Sequence, residues 1–146
     1  MELRDVVDAL SARFGSEAVA EEDGTFTVEV ETDDGDRVLV SVYTDDIEDG
    51  PAGGLTVLML RASAGEEIDA VEDPLALLEA ASTTWFTRTY FESETTSLVA
   101  EAALPLDGIS VPLVECAAQE VAELAVSVLD LVGEEYDEED ADEDAD

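Results

Sequence analysis

The chain has 146 residues, with 40 Asp plus Glu against 5 basic side chains, a net charge of 5 − 40 = −35. That balance excludes direct nucleic-acid binding, which needs Lys and Arg to displace phosphate counterions, and it disfavours anionic membrane surfaces. A hydrophobic fraction of 46% excludes wholesale disorder, which requires high charge together with low hydrophobicity.

In chain order, residues 2–14 form the first predicted helix. Leu3, Val6, Val7, Leu10 and Phe14 fall on one narrow stripe at 3.6-residue spacing, and Gly15 stops it. Thr25–Glu31 alternates, with Phe26, Val28 and Val30 inward and Thr27 and Glu29 outward. The turn Asp33-Asp34-Gly35-Asp36 joins it to Arg37–Thr44 as a hairpin, and a loop with Gly50, Pro51, Gly53 and Gly54 leads to a third strand, Leu55–Ala62. A second helix starts near Asp73-Pro74, with Leu77, Leu78 and Ala81 toward the core. Trp85–Phe91 and Ser97–Leu104 form another hairpin across Ser93–Thr96. Ser110 caps a last helix that carries Pro112 in its first turn and runs to about Val132. Its apolar arc comprises Val114, Ala117, Val121, Leu124, Ala125, Val128 and Leu131.

Beyond it, residues 133–146 hold ten acids and no base, so a disordered tail is expected after a body of 1–132. The fold class is α+β, in the order α-β-β-β-α-β-β-α, an antiparallel sheet with helices packed on one face.

This element order resembles the YbjN-type domains and the type III secretion chaperones. The local likeness lies in Leu75–Gly108: a short helix and the strand Trp85-Phe86-Thr87-Arg88-Thr89-Tyr90-Phe91. The strand Leu98–Leu104 follows, then Leu104-Pro105-Leu106-Asp107-Gly108 ahead of a long helix. The resemblance implies a dimeric, non-enzymatic module that binds peptide or protein partners, and it carries over no catalytic residues.

Charge of this density points to molar salt. At about 1 M the Debye length is roughly 3 Å, against about 10 Å at 0.1 M, so such self-repulsion is tolerable in brine. All five cations are arginines (Arg4, Arg13, Arg37, Arg61 and Arg88), whose planar forks pair with carboxylates better than lysine does. Each is expected to be structural, Arg4 pairing with Asp8 one turn on and Arg88 with a neighbouring acid or a partner's carboxylate. No basic or apolar leader opens the chain and no run approaches about 18 apolar residues, so a cytoplasmic location is expected. The single cysteine, Cys116, fits a reducing compartment.

Histidine and lysine are absent, which removes His-based triads, the commonest metal ligand and Schiff-base chemistry. Asp45-Asp46-Ile47-Glu48-Asp49-Gly50 approaches the start of an EF-hand loop, but Ile47 stands at its third position. Cys116 lies among Glu115, Glu120 and Glu123, the reverse of the electropositive niche of a reactive thiol. No catalytic residue, metal or cofactor is expected. The competing readings are a small carboxylate-dependent hydrolase and an accessory subunit of a fixed complex.

What remains is the sheet face turned away from the helices. With Val38, Val40 and Val42 inward, Leu39 and Tyr43 point out; one register of the third strand adds Leu58 and Leu60. The aromatic strand adds Phe86 and Tyr90 around Arg88, and Val99 follows on its neighbour. Such a patch predicts a homodimer or partner interface, unless the loop 63–73, with Ile68 and Val71, covers it.

Overall fold

The structure, a computed structural model, describes residues 2–51, 53–65, 74–92, 94 and 97–144; the side chains of 74 and 132–144 lie outside the description. Its elements are α1 (Leu3–Phe14), β1 (Val19–Ala20), β2 (Phe26–Glu31), β3 (Arg37–Asp46) and β4 (Thr56–Gly65), followed by α2 (Pro74–Ser82), β5 (Thr87–Glu92), β6 (Ser97–Pro105) and α3 (Val111–Asp144). The α+β class and the element order stand as expected. The addition is β1, two residues too short for any periodicity to reveal.

α1 forms where the stripe predicts. Glu2 N–H donates to Asp5 Oδ2 at 3.0 Å, and Gly15 takes the left-handed conformation (φ +66°) while its N–H donates to the Ser11 carbonyl. Val6, Val7 and Leu10 are buried, with Leu3 and Phe14 at the margin of the core. The six strands form one antiparallel sheet in the order β1-β2-β3-β4-β6-β5. In β2 and β3, Val28, Val30, Val40 and Val42 point inward, as alternation predicts. α3 covers the middle of that face with Val114, Ala117, Ala118, Val121, Ala122, Leu124, Ala125 and Val128, all buried. Its alanines let the helix sit close to the strands. Ser110 caps it, its Oγ accepting from Leu113 N–H at 3.4 Å.

Three local expectations are corrected. Leu58 and Leu60 of β4 are fully buried in the core, opposite Leu104 and Ala102 of β6, so β4 turns Val57, Met59, Arg61 and Ser63 outward. In α2 the core-facing residues are Leu77 and Ala80, whereas Leu78 is exposed. The aromatic strand begins at Thr87 rather than Trp85, because Glu120 of α3 accepts the N–H groups of Trp85 and Phe86 at 2.9 and 2.6 Å. Of the covering loop expected at 63–73, residues 63–65 are instead the end of β4, and 66–73 lie outside the described residues, as does the Asp73 cap. The helical backbone of α3 continues to Asp144, through the acidic run expected to lack an element.

Candidate functional site

Strand alternation places Leu39, Ser41 and Tyr43 of β3 on the outer face with Met59 and Arg61 of β4. Val99 and Glu101 of β6 join them with Arg88, Tyr90 and Glu92 of β5. Of the residues the sequence singles out, Leu39, Tyr43, Arg88, Tyr90 and Val99 are therefore brought to one face. Leu58 and Leu60 are not, and Phe86 lies in a bend just before β5. Nor is the face a continuous apolar patch. Leu39 is 63% exposed, but Val99 is 2% exposed between Tyr90 and Ser63, and Met59 is buried.

Its centre is a cation–aromatic cluster. Tyr90 carries the Arg61 guanidinium carbon 5.8 Å from its ring centroid and that of Arg88 at 5.5 Å, each contact contributing about 0.5–1 kcal/mol at exposed sites. Glu101, almost fully buried, accepts from Arg88 at 2.7 Å and from the Tyr90 hydroxyl at 3.0 Å. Arg61 donates to Glu92. A buried carboxylate is tolerable only because it is doubly satisfied. Burial, then the hydrogen bond to Glu101 and its charge, push the Tyr90 hydroxyl up to about 12. Burial draws Arg61 down, but hydrogen bonds to Tyr43 and Glu92 outweigh it and leave it raised. Tyr43 and Arg61 also line a depression of about 640 Å³ with Asp23, Ser41 and Thr44.

Arg61, Glu92 and Glu101 are the members that sequence reasoning missed. The signal lay in β4: Arg61 and Ser63, two residues apart, mark the solvent side and so set the parity of Met59, Leu60 and Leu58.

The remaining arginines are structural, as expected. Arg4 lies 3.6 Å from Asp8, Arg13 3.6 Å from Glu115 and Arg37 2.6 Å from Glu29. All five arginines are thus ion-paired. Asp45 and Asp46 end β3, and Asp46 accepts from Thr56 Oγ1 at 2.7 Å across the hairpin rather than opening a helix–loop–helix. Cys116 is exposed and lines a depression of about 610 Å³ with Asp33, Glu120 and Glu123, an acidic setting as anticipated. There burial, together with Asp33 and Asp34, raises the Glu123 carboxyl despite the N–H that Asp33 donates to it. Among the described residues no helix is long and apolar enough to cross a membrane.

No protein-family profile matches the chain, and no curated protein matches it in sequence. A solved structure does match in fold. A chain in the HopA1–SchA chaperone–effector complex superposes with a TM-score of 0.59 at 14% identity, over 87% of this chain and 92% of that one.

Proposed function

We propose that this chain is a non-enzymatic protein-interaction module of the YbjN and secretion-chaperone type. It is homodimeric, cytoplasmic and adapted to molar salt, and it binds a protein or peptide partner on the outer face of its sheet. The observation that carries this reading is the Arg61–Tyr90–Arg88 cluster, set on a face that no described helix covers, beside exposed Leu39. Two of the chain's five cations meet there, on a surface otherwise dominated by acids, and Arg88 keeps a side chain 70% exposed for a partner's carboxylate. The fold it shares with a chain of a chaperone–effector complex supports the same role. Affinity purification from native cells in molar KCl tests it, with wild type beside Leu39→Asp and Tyr43→Asp. Both variants should fold and lose the partner; capture by the variants equal to wild type would reject the outer face.

A further inference from the structure

The outer face of the sheet has a grain. Ser41, Arg61, Glu101 and Arg88 are register partners on β3, β4, β6 and β5, so they form one row straight across the strands. The row on one side carries Ser63, Val99 and Tyr90, and the row on the other carries Tyr43, Met59 and Ala103.

At the β5 end of the central row, charge is layered by depth. The Glu101 side chain is 4% exposed and that of Arg88 70%, so the carboxylate lies beneath and the guanidinium outermost. Glu101 accepts from Arg88 Nη2 at 2.7 Å, and a guanidinium holds five N–H donors in a planar fork. Arg88 therefore turns donors toward solvent. Nearer β3, the Arg61 guanidinium donates to the Tyr43 oxygen as well as to Glu92, so the Tyr43 O–H proton points away from Arg61. Tyr43 and Arg61 line the 640 Å³ depression, whose other walls include the hydroxyl side chains of Thr25, Ser41 and Thr44. Asp23 also lines it, and its carboxylate already accepts the Thr25 N–H at 3.1 Å.

We infer that this row holds an extended acidic segment of the protein partner, running across the strands. One Asp or Glu carboxylate of the segment sits on the outward donors of Arg88, and a second enters the depression at Arg61 and the Tyr43 hydroxyl. Two strand spacings, about 10 Å, separate the two arginine backbones, and roughly three residues of extended chain span that distance. Charge complementarity selects the occupant. The field of a body of charge −35 repels any anion, but at about 1 M salt it fades within roughly 3 Å, while a partly buried contact pair is screened much less. A partner's basic side chains would find acids over most of this surface and give no reason to gather arginines here. A singly charged carboxylate also meets less repulsion than a phosphate dianion, and its two oxygens match the guanidinium fork. This rests on the outer-face reading above and names the chemistry of the segment held there.

Two short fluorescent peptides of Ser and Val test it, one with Glu at two positions three apart and the other with Gln at both. Each is titrated with the full chain in molar KCl and followed by anisotropy. The Glu peptide should bind at least about tenfold more tightly, since charged hydrogen bonds are the stronger ones. Arg88→Lys keeps a charge over Glu101 but loses the fork, and Tyr43→Phe loses only a hydroxyl. Each variant should retain wild-type circular dichroism and give up most of the preference for Glu. Equal binding of the two peptides, no binding of the Glu peptide, or a preference unchanged in both variants would overturn the acidic segment. The outer-face reading falls separately, on capture of the native partner by Leu39→Asp equal to wild type.

Discussion

Tyr90 shows how one side chain gathers a site. Its ring accepts two guanidinium groups while its hydroxyl donates to a carboxylate that is itself buried, so the residue ties β4, β5 and β6 together. A hydroxyl raised from 10.0 to about 12 holds its proton more tightly in the folded state than in the unfolded chain. Its contribution to stability is therefore complete below pH 10 and is lost as pH rises from about 10 to about 12. Thermal melts across that range in molar KCl should show wild type falling toward Tyr90→Phe, which lacks the titrating group. Parallel curves for the two proteins would mean that Tyr90 titrates as it does in water. Tyr90 and Arg88 could be named from the alternation of their own strand, but Glu101 could not, since an acid is unremarkable among 40.

Among the elements, β4 teaches most. Val57-Leu58-Met59-Leu60 is apolar on both parities, so pattern alone admits either register, and only Arg61 and Ser63 break the tie. The consequence is measurable. Leu58→Ala should cost about 2–5 kcal/mol in urea melts in molar KCl, as a fully enclosed leucine does, while Leu39→Ala should stay within about 0.5 kcal/mol of wild type. Equal effects would put the two leucines in equivalent surroundings. α2 was legible as a helix but not in its facing. Leu77-Leu78 offers two adjacent leucines, and packing against α3 and β5 selects the first. The loss of Trp85 and Phe86 from the aromatic strand has a cause remote in sequence, since Glu120 lies 34 residues from Phe86 and accepts the N–H groups of both, one of which a ladder would have used.

For the whole molecule, charge is the ground on which adaptation to molar salt is proposed. The body to residue 132 carries 30 acids and 5 arginines, a charge of 5 − 30 = −25, and the run beyond it adds ten acids. The five ion pairs among the described residues, most with an exposed arginine, contribute little against that repulsion, whereas counterions at molar concentration can screen it. Melting temperature should therefore climb steadily from about 0.1 M to about 4 M KCl. Truncation after Val132 should leave the high-salt melting temperature unchanged and raise the low-salt one, because ten acids leave and the run offers Tyr136 as its lone aromatic, with no apolar stripe. A flat salt series would remove the argument for brine, and a large high-salt loss on truncation would show that residues 133–146 belong to the folded body.

The sequence by itself determined the α+β class, the order of the main elements, the inward valines of β2 and β3, the glycine that ends α1 and the structural use of Arg4. These follow from local physics: a periodicity of 3.6 or 2 records which side of an element is buried, and a left-handed turn needs glycine. Tertiary structure alone decided that β6 lies between β4 and β5, that Leu77 rather than Leu78 of α2 meets the core, and that Arg61, Tyr90, Arg88 and Glu101 converge on one face. Those outcomes depend on pairings between segments far apart in the chain. A strand apolar on both faces, in a chain with an acid at more than every fourth position, carries no local record of which neighbour it will meet.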